Sequence, residues 1–217
     1  MKKENITVVF DLDDTLYKEI DYKKSGIEFV CKQIKHIYNK DIRKQIFKAE
    51  KENKQIWQEA CKLLKITSST SEQFKWLYRL HEPKISLSKN TSNVINKLKK
   101  KLLQIAIFTE GRAFTQRMKL KKLKIDKFKI FISEELNYGK NEISSFKIIM
   151  RKLPAKKYYY IGDNPKKDFL IPNKLGWETI GIIGKKNIHE QNVKNLSSDH
   201  NPQIWVRDIE DILNIIS

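Results

Sequence analysis

Three aspartates lie within four residues of one another near the start of the chain, at positions 11, 13 and 14. They follow the apolar run Ile6–Phe10, whose β-branched residues predict a short buried strand. Asp11 and Asp13 are two residues apart, so an extended chain points both side chains the same way. Carboxylates this close repel one another unless a cation lies among them. The spacing therefore predicts a metal-assisted reaction centre at the end of this strand.

Two further strand ends carry polar residues that suit the same chemistry. The run Leu102–Phe108 predicts a strand that leads into Thr109, and Tyr158–Ile161 predicts one that leads into Asp163. In a parallel sheet, ligands bind beyond the carboxyl ends of the strands. We therefore expect Thr109 and Asp163 to lie beside Asp11. Taken singly, each of these side chains would also fit a helix cap or a closed turn.

Between the first strand and about Pro83 the sequence predicts helices. Apolar residues recur at helical spacing in four stretches, around Ile27–Ile37, Ile42–Ile46, Ile56–Leu64 and Phe74–Tyr78. We therefore predict that residues 16–83 form an inserted all-α bundle. Most of its aromatic residues are expected to lie in the core of the bundle, and one or two to face the active site: Tyr17, Tyr22, Trp57, Trp76 and Tyr78.

From Lys84 onward strand and helix patterns alternate. Further strands are predicted at Phe128–Ile132, Glu178–Ile183 and Ile204–Val206, and helices at 91–98, 114–123, 143–153, 168–174 and 208–216. Repeated β-α-β units imply a parallel sheet with helices on both faces. The predicted fold class is α/β, a three-layer Rossmann-like core over residues 1–15 and 84–217 with the helical insert at 16–83. The polar stretch Gly184–Asn201 is predicted to be a loop.

The chain is strongly basic, with 44 basic and 26 acidic residues and a net charge of +18. Nucleic-acid binding is one interpretation of this charge. The other is compositional, because 38 Lys against 6 Arg matches an AT-rich genome, whereas arginine is preferred for phosphate and base recognition. The dispersed lysines favour the second interpretation. The charge should still draw anionic substrates towards the protein.

The two cysteines and the lengths of the apolar runs indicate the cellular compartment. Cys31 and Cys61 lie in helical patterns without metal-ligand spacing, which favours buried thiols in a reducing cytoplasm. No apolar run approaches the roughly 20 residues that a membrane helix needs. Met1–Lys3 is basic, but only a strand-length run follows, so no secretory signal is expected. We therefore predict a cytoplasmic protein that does not bind membranes.

Four segments together resemble the motifs of the haloacid dehalogenase-like (HAD) superfamily. Their order and spacing fit, and the helical insert is similar to the type C1 cap of that superfamily. The segments are Asp11-Leu12-Asp13-Asp14-Thr15 for motif I, Thr109 for motif II, Lys140 after Tyr138-Gly139 for motif III, and Gly162-Asp163-Asn164-Pro165-Lys166-Lys167-Asp168 for motif IV. The four motifs together are specific, although each alone would be a weak signal.

The resemblance implies a Mg²⁺ site and a nucleophile. Asp11 is then the nucleophile and a metal ligand, and Asp13 supplies a backbone carbonyl to the metal while its side chain is the general acid/base. Asp163 is a carboxylate ligand. Asp168 lies close to the metal, although it would also fit a cap on the helix that follows. Carboxylate-rich oxygen sites suit Mg²⁺.

The resemblance also implies a phosphoryl-binding set formed by Thr109, Glu110, Gly111 and Lys140. Thr109 donates a hydrogen bond to the phosphoryl group, and Lys140 neutralises charge on the nucleophile and the phosphoryl oxygens. Two positions depart from the usual pattern of the superfamily. Glu110 replaces Asn or Asp, which puts a substrate contact there in doubt, and Asn141 replaces Pro.

These residues predict a phosphomonoester hydrolase that works through an aspartyl-phosphate. Haloalkanoate dehalogenases of the superfamily lack a carboxylate at the position of Asp13, because a halide needs no proton to leave, whereas an alcohol does. The predicted substrate is a small phosphorylated metabolite, either a sugar phosphate or a nucleoside monophosphate. A phosphomutase and a polynucleotide-end phosphatase remain as alternatives. The expected assembly is a monomer or a homodimer.

Overall fold

A computed structural model describes residues 5–101, 104–184 and 196–216 of the chain. Six strands of these residues form one sheet in which all neighbouring strands are parallel. Their order is β3-β2-β1-β4-β5-β6, so β1 lies in the middle between β2 and β4. The strands are β1 (Ile6–Phe10), β2 (Gln104–Thr109), β3 (Lys129–Ile132), β4 (Lys157–Gly162), β5 (Glu178–Ile182) and β6 (Ile204–Val206).

Helices connect these strands and cover both faces of the sheet, which confirms the predicted Rossmann-like α/β fold class. Four of them follow β1 without an intervening strand: α1 (Glu19–Tyr38), α2 (Arg43–Lys51), α3 (Ile56–Leu64) and α4 (Thr70–Leu80). The others alternate with the later strands: α5 (Lys89–Lys100), α6 (Ala113–Lys122), α7 (Ser133–Leu136), α8 (Ile143–Lys152), α9 (Leu170–Lys174) and α10 (Ile212–Ile215).

The chain folds into two compact units. The first comprises residues 1–20 and 86–217 and contains the sheet, and the second comprises residues 21–85 and is helical. The sequence predicts these divisions at residues 15/16 and 83/84. The start of α1, Glu19 and Ile20, belongs to the sheet-containing unit.

Aromatic packing holds the central strands of the sheet-containing unit together. Phe146 of α8 lies at the centre of this cluster, with its ring 5.3 Å from that of Phe108 and 5.6 Å from that of Tyr160, centroid to centroid. Both contacts are edge-to-face, the arrangement that aromatic quadrupoles favour. Phe108 lies on β2 and Tyr160 on β4, and Val9 of β1 belongs to the same buried cluster. This cluster fixes the three strands whose carboxyl ends carry the predicted site residues.

The helical unit has its own apolar core. Ile27, Val30 and Ile34 form the buried face of α1, as their spacing predicted, and pack in one cluster with Trp57 and Phe74. The same cluster contains the two cysteines, which are buried free thiols as expected. Burial raises the pKa of the Cys31 thiol to about 11, so it stays protonated.

The aromatic residues predicted for the bundle are not all in its core. Tyr22 and Trp57 are buried in the helical unit, as expected. Trp76 is 47% exposed and lies outside that core, which is compatible with the expectation that most of these residues are buried. Tyr17 belongs to the sheet-containing unit, where it contacts Asp13. Its position just after motif I therefore places Tyr17 at the predicted reaction centre instead of in a bundle.

One predicted element differs from the structure, and two predicted segments lie partly outside the described residues. The second strand runs Gln104–Thr109, and the predicted start at Leu102 lies outside the described residues. The predicted closing helix is a three-residue 3₁₀ turn followed by the four-residue helix α10, and a reciprocal cap between Asp208 and Asp211 closes the first turn. Residues 185–195 of the predicted loop also lie outside the described residues.

None of the described helices is both long and apolar enough to cross a membrane.

Candidate active site

The carboxyl ends of β1, β2 and β4 bring the predicted site residues to one edge of the sheet. Phe10 of β1 pairs with Ile107 of β2 and with Ile161 of β4. The backbone N–H of Asp11 extends this pairing by donating to the Ile161 carbonyl at 2.8 Å. The side chains just beyond the three strands therefore converge on a pocket of about 200 Å³. It is lined by Asp11, Asp13, Glu19, Thr109, Glu110, Lys140, Asp163, Asn164, Lys167 and Asp168.

Asp11 lies at the base of this pocket and is held from two sides. The Lys140 ammonium donates to Asp11 Oδ1, and the Thr15 hydroxyl donates to Oδ2 at 3.1 Å. Burial raises the pKa of Asp11 to about 7, against the opposing effect of Lys140, because the low-dielectric surroundings disfavour the charged form. The prediction that Lys140 reaches Asp11 thus agrees with the geometry.

Asp168 is fully occupied by contacts with the protein. Its Oδ2 accepts the backbone N–H groups of Asp163 and Asn164 at 3.0 and 2.8 Å, and its Oδ1 accepts from Lys140 Nζ at 2.7 Å and from the Tyr160 hydroxyl at 3.3 Å. A carboxylate offers about four lone-pair positions, so these contacts use them all. The structure therefore favours Asp168 as the residue that fixes the 163–164 turn and the Lys140 side chain.

Gly162 shows why motif IV begins with glycine. A Cβ added at this position would lie 2.4 Å from Asp168 Oδ2, well inside van der Waals contact. Only a residue without a side chain lets the Asp168 carboxylate approach the end of β4 closely enough to accept both backbone N–H groups. The glycine is therefore required by the approach of Asp168, and the turn that follows depends on it.

A cluster of three buried carboxylates marks the place where a cation would bind. Asp11, Asp163 and Asp168 each offer one oxygen within 4.8 Å of the other two. Burial raises the pKa of Asp163 to about 9, and the neighbouring Asp11 and Asp168 act in the same direction. Carboxylates this crowded are poorly stabilised as anions by the protein alone. A hard divalent cation with oxygen ligands fits the Asp11 and Asp163 oxygens of this cluster, since protein contacts already occupy Asp168.

Asp13 has a separate set of partners on the other side of the pocket. Lys119 Nζ lies 2.7 Å from Asp13 Oδ1, and Gln116 Nε2 donates to Oδ2 at 3.0 Å. The Tyr17 hydroxyl also donates to Oδ1. Burial by itself would raise the pKa of Asp13, but Lys119 and these hydrogen bonds together hold it below its ordinary value. The carboxylate form of Asp13 is therefore the favoured one in this arrangement.

Asp14 has a structural role. Its backbone has a positive φ of 56°, and its Oδ1 accepts the backbone N–H of Glu19 at 3.0 Å in the first turn of α1. Asp14 therefore satisfies one of the free N–H groups at the start of that helix. This geometry agrees with the sequence interpretation, which gave Asp14 no catalytic role.

Glu110 was predicted to bind substrate, but its carboxylate contacts other parts of the protein. Oε1 accepts the backbone N–H of Lys140 at 2.8 Å, and Oε2 forms an ion pair with Lys167. The carboxylate therefore joins the loop that carries Lys140 to the motif IV loop that carries Lys167.

Gly111, the other predicted binding residue, does not line the pocket around Asp11. Its backbone N–H donates to the Ser133 hydroxyl at 3.1 Å, and it lines a separate surface hollow beside that residue. Its φ of +141° is one that residues with a side chain rarely adopt. The geometry thus leaves Gly111 outside and brings together the other predicted site residues, Asp11, Asp13, Thr109, Glu110, Lys140, Asp163 and Asp168.

The sequence interpretation missed Gln116 and Lys119. The helix at 114–123 was predicted from its apolar residues, among them Phe114, yet Phe114 is 62% exposed whereas Gln116 and Lys119 are 3% and 4% exposed. The buried face of α6 is thus largely polar, because it faces Asp13. The one signal in the sequence is that two polar residues lie three apart, on one side of a helix that begins just after Thr109.

Comparison with known proteins agrees with this site. The family model for haloacid dehalogenase-like hydrolases matches residues 8–182, a range that contains every residue placed in the pocket. The chain belongs to the haloacid dehalogenase-like hydrolase family. This HAD protein is therefore a member of a family of hydrolases. A search of curated proteins found no match to it.

Solved structures share the fold of this HAD hydrolase along almost its whole length. YfnB of Bacillus subtilis, a proposed HAD hydrolase bound to magnesium, has a TM-score of 0.68 at 18% identity, over 99% of this chain and 100% of YfnB. A predicted phosphoglycolate phosphatase of Haemophilus somnus has a TM-score of 0.64 at 19% identity, over 100% of both chains. A proposed β-phosphoglucomutase of Thermotoga maritima has a TM-score of 0.64 at 18% identity, over 96% of this chain and 97% of the other.

Proposed function

We propose that this HAD hydrolase is a Mg²⁺-dependent phosphomonoesterase that works through an aspartyl-phosphate intermediate. The observation that carries the proposal is that two carboxylates, Asp11 and Asp13, line one pocket and have separate buried lysine partners. One carboxylate can attack phosphorus while the other moves a proton, and a phosphate ester requires both. A haloacid would require only the first.

Asp11 is the proposed nucleophile. One of its oxygens attacks phosphorus as the bond from phosphorus to the ester oxygen breaks, which leaves the phosphoryl group on Asp11. Lys140 offsets the negative charge that gathers on the phosphoryl oxygens. The Thr109 hydroxyl accepts a hydrogen bond from Gln116 Nε2 at 3.0 Å, so its own hydrogen is available for a phosphoryl oxygen.

Asp13 is the proposed general acid and base. In its protonated form it gives its proton to the departing ester oxygen, which leaves as an alcohol. As a carboxylate it then takes a proton from the water that attacks phosphorus, and this step releases phosphate and restores Asp11. The lowered pKa of Asp13 favours the carboxylate and therefore suits the second half of the reaction.

The carboxylates of Asp11 and Asp163, together with the backbone carbonyl of Asp13, would hold the Mg²⁺. When bound, the ion neutralises the repulsion between an anionic nucleophile and an anionic phosphoryl group. The crowding of buried carboxylates supports this assignment, and one structural neighbour is bound to magnesium. We assign Asp168 to the support of these groups, because its oxygens already bind Lys140, Tyr160 and the 163–164 turn.

The proposed substrate is a small phosphorylated metabolite, with sugar phosphates and nucleoside monophosphates as the leading classes. The pocket of about 200 Å³ is smaller than the roughly 300–1,000 Å³ that is usual for small-molecule sites, which supports a small substrate. We propose that the helical unit, residues 21–85, acts as a cap that selects the rest of the substrate. We further propose that the enzyme works in the cytoplasm as a monomer or homodimer, and the buried free thiols support that compartment.

A substrate panel tests the proposal. The purified chain is assayed with p-nitrophenyl phosphate, sugar phosphates, nucleoside monophosphates, 3′- and 5′-phosphorylated oligonucleotides and chloroacetate, each in Mg²⁺ and in EDTA. We expect phosphate release that needs Mg²⁺ and is lost in Asp11→Asn. Phosphate release that is unchanged in EDTA or in Asp11→Asn would overturn the proposal, as would release of chloride alone.

The same panel separates the alternatives. Transfer of the phosphoryl group to a second hydroxyl of a sugar phosphate, seen as an isomeric product by ³¹P NMR, would identify a mutase. A proposed mutase among the structural neighbours motivates this measurement. Hydrolysis restricted to oligonucleotide ends would instead favour the polynucleotide phosphatase that the net charge of +18 suggests.

A further inference from the structure

Gln116 occupies an unusual position on helix α6. Its side chain is 3% exposed, and its Nε2 lies 3.0 Å from Asp13 Oδ2, 3.0 Å from Thr109 Oγ1 and 2.7 Å from the Glu110 carbonyl oxygen. Three acceptors thus share the two hydrogens of one amide. Two of these acceptors belong to the residues assigned above to proton transfer and phosphoryl binding.

The orientation of this amide is fixed by its neighbours. The Asp13 carboxylate and the Glu110 carbonyl can only accept hydrogen bonds, so the nitrogen of Gln116 must face them. The amide oxygen, Oε1, is then buried and has no hydrogen-bond partner among the described residues. A buried acceptor without a partner costs free energy. The chain tolerates this cost, which indicates that the contacts on the nitrogen side are the ones required.

Two other features of the chain support this position of Gln116. A Cβ added at Gly111 would lie 2.9 Å from Gln116 Nε2, so the glycine leaves room for the amide. Lys119 lies three residues further along the same face of α6 and contacts the other oxygen of Asp13, with its Nζ 2.7 Å from Oδ1. The buried face of α6 thus contacts both oxygens of Asp13.

We propose that Gln116 is a positioning residue that aligns the Asp13 carboxylate and the Thr109 hydroxyl with each other. Through the first contact it directs the proton of Asp13 towards the ester oxygen. Through the second it fills a lone pair of the Thr109 oxygen and turns the hydroxyl hydrogen towards the phosphoryl group. This inference rests on the phosphomonoesterase function proposed above. It predicts that Gln116 affects the reaction through Asp13 and Thr109 and not through the stability of the fold.

The test compares two aryl phosphates in the Gln116→Met variant, which keeps the length of the side chain and removes both donors. Phenol is a poorer leaving group than p-nitrophenol, so phenyl phosphate depends more on the proton from Asp13. We expect kcat on p-nitrophenyl phosphate to fall by about tenfold with little change in KM, because a general acid/base and an oriented donor each contribute at least that much. The loss on phenyl phosphate should be several-fold larger.

The control is Gln104→Met, the same substitution at an exposed residue at the opposite end of β2. We expect it to have wild-type kinetics. A double-mutant cycle completes the test: in the Asp13→Asn background, Gln116→Met should no longer change the ratio of the two rates. A purely structural role would instead lower both rates by one common factor in both backgrounds.

The outcomes separate this inference from the function on which it rests. Equal losses on the two esters, additive effects with Asp13→Asn, or an unchanged kcat would overturn the role of Gln116 in an enzyme that is still a phosphatase. Absence of phosphate release from both esters by the wild-type chain in Mg²⁺ would overturn the proposed function and this inference with it.

Discussion

Asp11 and Asp13 are two residues apart on one strand end, yet their surroundings differ in kind. Asp11 shares its lysine, Lys140, with a second buried carboxylate, and its pKa is raised to about 7 chiefly by burial. Asp13 is paired with Lys119 and also accepts two hydrogen bonds, and its pKa is lowered. The two pKa values thus move in opposite directions because Asp11 has two anionic neighbours, Asp168 and Asp13, whereas the charge of Lys119 and the hydrogen bonds to Asp13 outweigh its burial.

The difference arises from the elements that supply the partners. Lys140 comes from the loop after α7 and has two carboxylates to neutralise, so one positive charge is divided between two anions. Lys119 comes from α6, together with Gln116, and both face Asp13. A cation that bound beside Asp11 would supply the positive charge that Lys140 alone does not. The two carboxylates are thus prepared for different work before any ligand binds.

The largest expected effect on kcat comes from replacing each of the two carboxylates in turn. Asp11→Asn removes the proposed nucleophile and should reduce kcat on p-nitrophenyl phosphate by at least about 10⁴-fold, to the background rate. Asp13→Asn removes the proposed general acid and base and should reduce kcat by about 10²-fold on this ester, which has a good leaving group. Steady-state phosphate release measures both variants. Asp126→Asn, at an exposed position, is the matched control; equal losses in Asp11→Asn and Asp13→Asn would contradict the division of roles.

The second prediction concerns how much each of the two lysines contributes to the free energy of unfolding. In EDTA, Lys140→Met removes the ammonium group that neutralises two buried carboxylates. The substitution should lower the free energy of unfolding by roughly 3–5 kcal/mol. Lys119→Met should cost less, about 1–3 kcal/mol, because Gln116 and Tyr17 still donate to Asp13. Urea denaturation measures both, with the exposed Lys121→Met as control. The same cost for both lysines would show that the second pair of donors contributes nothing.

The third effect concerns pH in the metal-free protein. Asp11 and Asp163 have folded-state pKa values of about 7 and about 9, above the ordinary value of 3.8, so the folded state binds their protons more tightly than the unfolded state does. Their contribution to stability is present below about pH 4 and is lost as the pH rises through 7 and 9. In EDTA the Tm should therefore fall between pH 5 and pH 9.

Two controls identify the source of that fall. Asp163→Asn cannot ionise at position 163 and should show a smaller fall in Tm than the wild type over the same range. Mg²⁺ should reduce the fall in the wild type, since it binds the ionised carboxylates. A Tm that depends on pH identically in Asp163→Asn and in the wild type would argue against the crowding of carboxylates as its cause.

The smallest effect on kcat is expected from variants of Glu110, which contacts the backbone of Lys140. Glu110→Gln keeps an oxygen that can accept the Lys140 backbone N–H but loses the charge that pairs with Lys167, so kcat should stay within about threefold of wild type. Glu110→Ala loses both contacts and should reduce kcat by roughly tenfold, because a loosened loop misplaces Lys140. Lys167→Met provides the matched loss of the ion pair alone. Steady-state kinetics decide whether the backbone contact or the charge matters.

Much of the fold and part of the site could be predicted from local patterns. Buried strands such as Ile6–Phe10 are read from their apolar runs, and the rule that ligands bind at carboxyl ends places Asp11, Thr109 and Asp163 together. The face of α1 formed by Ile27, Val30 and Ile34 was also predictable, since it packs against apolar neighbours. Hydrophobic periodicity predicts the buried face of a helix where that face packs against apolar side chains.

The same reasoning failed where burial is polar. Phe114 of α6 is exposed, and the buried face of that helix presents Gln116 and Lys119 to a carboxylate more than 100 residues earlier in the chain. The contact of Glu110 with the Lys140 loop could not be predicted either, because it depends on how two loops approach each other in space. Neither pattern shows in hydrophobicity, which reports burial and not charge pairing.

The sequence by itself determined the order of strands and helices, the position of the carboxylates at strand ends and the residues available for catalysis. Only the tertiary structure decided how charge is shared among them: Lys140 between Asp11 and Asp168, Lys119 and Gln116 on Asp13. The physical reason is the range of each interaction. Strand and helix formation depend on neighbours along the chain, whereas the charge state of a buried carboxylate depends on every group within a few ångströms, whichever element carries it.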